Sequence, residues 1–407
     1  MMRRFLAGVA LVAVGACACA QTDILDAGRV VKDSGELSVP VYRVAITSDS
    51  PQLEALAKRA FGLHGSYKLA RPADAQFEFA FSQAGPDSVR LTIKGGRSYE
   101  QTVSGASLVN ALMKACDVVV NKTIGAPGFF AGTVAFSYSR DGGDLSEICV
   151  SDMVFQKVRK LTNDKAASLM PHFSPNGKKV MYTGYYRSGF MDLFEINLSA
   201  NSRRAFASFK GSNTGGAFSP DGSKVAMVLS STGNAEVWTA NADRTGFKRI
   251  TNTPTAVESS VGFSPDGSKL IFASDSGYGK PQIYICPANG GKMTRLPTNV
   301  SGYCSEPVWN WVKPNLIAFT GAQRAGKGSD FQVFVYDMLK RQSKCVTRGV
   351  SASSPVWLND GRHLICAKAF GKMRRLYVVD TETGSEKPMH TAGFGSVKEP
   401  DFVYTSK

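Results

Sequence analysis

The stretch FSPDGSKV occupies residues 218–225, and FSPDGSKL returns at residues 263–270. A third copy, FSPNGKKV, lies at residues 173–180. Phe173, Phe218 and Phe263 are spaced by 45 residues each time. A fixed period of this length marks a repeat architecture. Two weaker copies follow in phase, PVWNWVKPN (307–315) and PVWLNDGRH (355–363), which set Trp309 and Trp357 where the phenylalanines stood. A sixth start, EPDFVYT (399–405), breaks off at the chain end.

Each unit has the same internal plan. The Ser-Pro-Asp-Gly tetrad is a turn: Pro presets φ, Asp suits the next position, and Gly accepts a left-handed backbone. A β-rich run follows it: KVMYTGY (179–185), KVAMVLS (224–230), KLIFAS (269–274), NLIAFTG (315–321) and HLICAKA (363–369). After a polar loop comes a third run: DLFEINL (192–198), AEVWTAN (235–241), PQIYICP (281–287), FQVFVYD (331–337) and RRLYVVD (374–380). The fourth run is short and basic. Four short strands in a unit of this length make a β-propeller blade. A β-solenoid or a pair of sandwiches is the alternative, since regular turns occur there as well.

Those ends complement each other. TVAFSYS (133–139), EICVSDM (147–153) and KVRKLT (157–162) read as second, third and fourth strands without a first. The terminal DFVYTS is a first strand with nothing behind it. The sequence therefore predicts an all-β six-bladed β-propeller, residues 128–407, whose C-terminal strand completes the first blade and hides the edges a linear array would expose.

The remainder divides in three. Residues 1–20 combine Arg3 and Arg4, an apolar core and the Ala18-Cys19-Ala20 ending of a secretory signal. VGAC (14–17) leaves open a lipid anchor on Cys17, the soluble product being the reading preferred here. Residues 21–37 are a mature N-terminal segment. Residues 38–127 lack the repeat and read as a small α/β domain. In it, SPQLEALAKRAFGLHGSY forms a helix with Ser50 as N-cap and Pro51 at its first position. AQFEFAFS, SVRLTIKG and SYEQTVSG alternate as strands, and a second helix stops at Gly125. GAPGFF (125–130) is the hinge into the propeller.

Net charge is +15, of which Arg3 and Arg4 leave with the signal. A basic balance favours anionic partners. Here the charges are scattered over short fourth strands, as solvated outer edges kept from pairing by Lys and Arg would be. No aromatic-basic cluster points to nucleic acid. Beyond the leader the six cysteines (Cys116, Cys149, Cys286, Cys304, Cys345, Cys366) are dispersed and give no pairing. The four histidines (His64, His172, His363, His390) are isolated in sequence, so no metal and no cofactor is expected.

Two motifs bear on chemistry. GAQRAGKG (321–328) nearly matches a phosphate-binding loop, but Gly328 stands where a magnesium-holding hydroxyl belongs and a strand follows instead of a helix. No G-x-S-x-G nucleophile elbow exists in the chain. The carboxylates nearest the axis, Glu258, Glu306 and Glu399, read as channel lining rather than catalysts, so no catalytic residue is expected.

A leader, a small α/β domain and six units of P-x-[FW]-S-P-D-G-x-[KR]-[VLI] sealed by the C-terminus resemble the TolB family of the periplasmic Tol–Pal system. The run LVNALMKACDVVVNKTIG leading into GFFAGTVAFSYS is similar to the family's helix and first propeller strand. NWVKPN and LNDGRH depart from the tetrad, and the α/β domain matches in pattern more than identity. The resemblance implies a monomeric, periplasmic binding protein of envelope integrity and cell division, not an enzyme. It would dock a Pal-like peptidoglycan-associated lipoprotein at one propeller mouth. The residues expected there, just ahead of each first strand, are Leu169, Met170, Ser212, Asn213, Thr214, Glu258, Ser259, Ser260, Ser305, Glu306, Ser353, Ser354, Lys398 and Glu399. It would pair a TolA-like inner-membrane protein through Asp23, Ile24, Leu25, Val30 and Val31, whose apolar-polar mixture suits strand addition. The readings from other classes are an exported propeller hydrolase or lyase, and a ligand-binding module for cell-wall material.

Overall fold

The structure is a computed structural model that describes residues 39–187, 189–300, 302–322 and 330–405. The leader with Cys17, the segment carrying Asp23, Ile24, Leu25, Val30 and Val31, and residues 323–329 of the Gly-rich loop lie outside the described residues.

The first domain is a five-stranded sheet covered on one face by two helices. Its strands are β1 (Tyr42–Ser48), β2 (Tyr67–Leu69), β3 (Phe77–Gly85), β4 (Ser88–Lys94) and β5 (Tyr99–Ser104), in the order β2-β1-β3-β4-β5. β1 runs parallel to β2 and β3, whereas β3, β4 and β5 form an antiparallel meander. Helix α1 (Pro51–Leu63) begins as the sequence predicts, with Ser50 Oγ accepting the Leu53 N–H. It buries Leu53, Leu56, Ala57, Ala60 and Phe61 on one stripe. Helix α2 (Leu108–Ile124) is capped by Ser107 and stopped by left-handed Gly125. Short β2 has no alternating pattern and was not expected. It exists because Tyr42 and Ser66 pair at the start of β1.

The propeller has six four-stranded antiparallel blades. From the axis outward, blade 2 runs Ser168–Phe173, Lys179–Gly184, Asp192–Asn197 and Ser202–Ala207. Blades 3 to 6 repeat it, with innermost strands Asn213–Phe218, Glu258–Phe263, Tyr303–Trp309 and Ala352–Trp357. Blade 1 is composite: C-terminal Ser396–Val403 pairs antiparallel with Thr133–Ser139, with Phe402 opposite Val134. The expected closure of the ring is what the chain does.

The tetrads act as local locks. In blade 3 the Ser219 hydroxyl donates to Asp221 and accepts the Lys224 N–H, while Gly222 sits at φ +71° and donates its N–H to the Ser219 carbonyl. The turn thus fixes the register of first and second strands locally, within one blade. The cores lie between blades: Met181 and Leu193 of blade 2 pack with Phe218, Val225 and Met227 of blade 3. A larger core is continuous from the α/β domain through Phe129 and Phe130 into blades 1 and 6. Cys116, Cys149, Cys286, Cys304 and Cys366 are buried free thiols, and Cys345 is exposed.

Candidate functional site: an axial funnel with a strained collar

The innermost strands converge on a cavity of about 1050 Å³, open solvent at its mouth included. All six blades contribute to its wall. At one equivalent position per blade the backbone turns left-handed: Met170 (φ 51°), Gly215 (66°), Ser260 (54°), Glu306 (50°), Ser354 (53°) and Glu399 (53°). At this position the ladder between first and second strands slips, giving a bulge in every blade. Five of these residues carry a side chain, and four of them (Met170, Glu306, Ser354, Glu399) precede a proline, which further disfavours a helical backbone. Such outliers cost on the order of 1–3 kcal/mol each and persist where surrounding structure over-determines them. Below the collar the wall turns apolar, with Phe218, Phe263, Trp309, Trp311 and Trp357 toward the end where the tetrad turns lie.

The collar is tied from blade to blade. Glu399 of blade 1 accepts the Met170 N–H of blade 2 and the Ser137 hydroxyl, both at 2.8 Å. Glu306 of blade 5 accepts the Ser354 N–H (2.7 Å) and hydroxyl (3.1 Å) of blade 6, and the Thr320 hydroxyl (2.6 Å). Thr183 of blade 2 does the same for Gly215 of blade 3 through its hydroxyl. The two axial carboxylates therefore serve as struts that hold the bulges in place. Deeper in, Asp401 accepts the Phe173 N–H at 2.6 Å; burial pushes its pKa up, with His172 opposing.

The structure brings Met170, Ser260, Glu306, Ser354 and Glu399 into one collar and corrects the rest of the expected mouth. These residues do not precede the first strands; almost all of them lie inside them. Leu169, Thr214, Ser259, Ser305, Ser353 and Lys398 each stand one residue before the collar position and are not among the residues that line the cavity, and Ser212 sits in the connector, its N–H held by Ser230. Asn213 is fully buried and its side chain pins the connector through the Phe209 and Gly211 carbonyls. Glu258 is 1% exposed and points between blades. Sequence reading missed His172, Asp401 and the tryptophans. The period-2 step inward from each collar residue would have found the first two.

Glu258 belongs to a buried acid pair. It accepts the Ser274 hydroxyl at 2.8 Å and the Thr253 hydroxyl at 3.1 Å, beside Glu236. Glu236 is bound by Arg249 (2.5 Å), the Thr251 hydroxyl (2.5 Å) and the Thr253 N–H (2.8 Å), which hold its pKa down against burial. Burial first, and the Glu236 charge with it, raises Glu258 to about 7. The folded state thus keeps a proton that the unfolded state releases near the ordinary glutamate value. Stability falls as pH rises from about 4.5 to about 7. Glu258→Gln, an uncharged mimic of the acid, is expected to stabilise by about 1–3 kcal/mol at pH 8 and by nearly nothing at pH 4.5. Urea unfolding at both pH values measures this; an equal effect at the two would refute the shared proton.

The histidines are not all isolated in space. His64 of the first domain, Asp360 and His363 offer ligand atoms within 4.8 Å of one another, all buried. The donor set is already engaged. Ser66 N–H donates to His64 Nδ1, Asp360 holds His363 Nδ1 at 2.5 Å, and nearby Asp380 is occupied by Arg362 and Thr383. That arrangement is a buried ion-pair joint between the two domains rather than an open coordination site. Asp360 and Asp380 are held well below the ordinary aspartate range: burial opposes this, and the His363 and Arg362 cations overcome it.

Comparison with known proteins fits this architecture. Residues 120–404 match the family described as the TolB β-propeller domain. A Tol-Pal system protein TolB from Anaeromyxobacter sp. (strain K) is 29% identical over 152 residues, 37% of this chain. The match spans about a third (34%) of that relative's length. The crystal structure of TolB from Acinetobacter baumannii superposes with a TM-score of 0.78 at 20% identity, covering 90% of this chain and 97% of that one. A putative TolB from Agrobacterium tumefaciens gives 0.50 at 16% identity, covering 64% and 89%. At such identities the structural likeness speaks for fold alone.

Proposed function

The chain belongs to the TolB β-propeller family, and from that premise we propose that it is a periplasmic adaptor of the Tol–Pal system. It docks a Pal-like lipoprotein at the collar end of the funnel and a TolA-like protein through residues 21–37. One observation carries the reading. Five side-chain-bearing residues hold a left-handed backbone at equivalent points around one opening, and strain of this kind is retained where it shapes a site. Among the described residues, the first domain and the linker meet the tetrad-turn end, at His363 and Asn359, rather than the collar end. A partner loop entering there meets hydroxyls and carboxylates at the rim and apolar aromatic wall below, the pattern of a binding hot spot. Both axial glutamates are committed to interblade hydrogen bonds, which favours binding over acid–base chemistry.

The test is binding of the mature protein to the Pal-like lipoprotein of its own organism. Val308→Arg places a charge on the apolar wall without touching a strut. Val308 also packs on the core between blades 5 and 6, so the substitution is expected to lower the unfolding transition as well as to weaken binding at least tenfold, and affinity is compared at a temperature where the variant remains folded. Deleting residues 21–31 is expected to abolish capture of the TolA-like protein and leave the other interaction intact. Unchanged affinity in Val308→Arg would move the docking surface away from the funnel.

A further inference from the structure

The joint between the domains contains a titratable group that the adaptor reading does not use. His64 caps the C-terminal end of α1 and is 2% exposed. Its ring stacks on Phe129, centroids 5.5 Å apart at 2°, and lies 4.4 Å from the ring of His363 in blade 6. Next to it the backbone of Gly65 lies so close to the propeller that a Cβ would come within 1.9 Å of Asp380 Oδ2. On the propeller side His363 is enclosed by Asp360 and, at 3.5 Å, by Asp380. Burial disfavours its charge, but the Asp360 carboxylate raises its pKa to about 9, which favours the imidazolium, while its Nε2 also faces the Gly65 N–H at 3.4 Å. Arg362, clamped on Asp380 at 2.6 Å and 2.9 Å, adds a second fixed positive charge.

We propose that His64 is an acid-released latch, the proton it takes up driving the α/β domain off blade 6 about the linker as pivot. The groups facing it are His363, Asp360 and Arg362 from the blade 6 turn and second strand, Asp380 from the third strand, and Tyr67 from β2. Phe129 and Phe130 of the linker close the pocket. Both aspartates are already committed to the two propeller cations. A third cation meets the His363 and Arg362 charges at close range in a buried site, the remaining carboxylate, half-exposed Glu382, being already on Arg362 at 3.3 Å. Burial, then the His363 charge, holds the His64 pKa well below its ordinary value. An opened joint returns His64 to about 6.5. The closed state binds fewer protons, so it loses stability as pH falls below about 6.5. The pivot is separate: Asp117 of α2 holds the linker through the Phe130 and Ala131 N–H groups.

Hydrogen exchange of the whole mature protein tests this. The Ser66 amide, which donates to His64 Nδ1, reports the latch. After correction for intrinsic rates, its protection factor is expected to fall roughly twentyfold between pH 7 and pH 5, with no parallel fall at strand amides of blade 3, where the Glu236–Glu258 pair works in the opposite sense. His64→Phe keeps an aromatic ring on Phe129 and removes both the proton site and the acceptor of the Ser66 amide, so it is read at the Gly65 amide, which faces His363 Nε2, and protection there should not change over that range. Carbon-13 spectra of the histidine rings give a second readout, independent of whether that variant folds. His64 should remain neutral below pH 6. Protection constant from pH 7 to pH 5 in the native protein, the same loss in His64→Phe, or a His64 titration near 6.5 would each overturn the latch.

Discussion

A chain ending at Gly395 is expected to lose the folded propeller. The segment removed supplies the whole innermost strand of blade 1, from the Ser396–Ser139 pair to the Val403–Thr133 pair. Fully buried Val397 goes with it. So do the Glu399 strut to Met170, the Asp401 acceptor of the Phe173 N–H and the Tyr404 hydroxyl on Asp117. Each buried donor left without an acceptor costs about 1–3 kcal/mol, and a buried aliphatic side chain contributes about 1.5–3 kcal/mol more. Together these losses are comparable with the roughly 5–15 kcal/mol that hold a typical domain folded. The truncated protein should show no cooperative thermal transition for its β-signal, and a synthetic peptide of residues 396–405 added in excess should restore one. A truncated chain that melts within about 2 °C of the full one would show that the ring is held elsewhere.

That closure was legible before any coordinate because it is a counting argument. Three strands without a first and a first without followers can combine in one way. The tetrad turns were equally legible, since Ser219, Asp221 and Gly222 act within five residues of one another. Local chemistry of this kind is written locally. The α/β helices were readable for the same reason: Ser50 and Gly125 terminate them by their own backbone and side-chain preferences. The membership of residues 120–404 in the TolB β-propeller family agrees with the resemblance those features carried.

The collar was only half legible. The residues named for the mouth came in runs such as Glu258, Ser259 and Ser260, because period alone cannot say which member of a run faces the axis. The bulge decides it. It admits one left-handed residue per blade, and the wall begins there: Ser260 and the residues after it line the cavity, whereas Glu258, two residues earlier, faces Glu236. A bulge is set by strain shared between adjacent blades, through contacts such as Glu306 to Ser354, whose residues are 48 apart. The pairing of His64 with His363 is more remote still, two histidines on different domains that only tertiary folding unites.

Asp117→Ala is expected to be among the most damaging single substitutions away from the ring closure, and its cost should depend on pH in a direction that identifies the cause. The Asp117 carboxyl lies on the buried face of α2 and gathers three donors: the Phe130 N–H (2.7 Å), the Ala131 N–H (3.0 Å) and the Tyr404 hydroxyl (2.9 Å). It thereby ties the first domain to the linker and to the end of the closing strand. Removing it strands two buried N–H groups, an expected loss of about 3–5 kcal/mol. Burial raises its pKa to about 7 in spite of those donors. The folded state therefore carries a proton that the unfolded state has lost above the ordinary aspartate value, and stability from this group falls as pH rises from about 4 to about 7. The alanine variant has no such dependence. The gap between native and variant protein should be widest near pH 4.5 and narrow by several kcal/mol, on the order of the linkage limit, at pH 8. Tyr404→Phe, which removes one donor and no charge, should cost about 1 kcal/mol at either pH. Denaturant titrations of the three proteins at the two pH values separate a protonated acid from a permanently ionised one. A gap that widens toward pH 8 would mean that Asp117 is held as a carboxylate, and that the hydrogen bonds outweigh the cost of burying its charge.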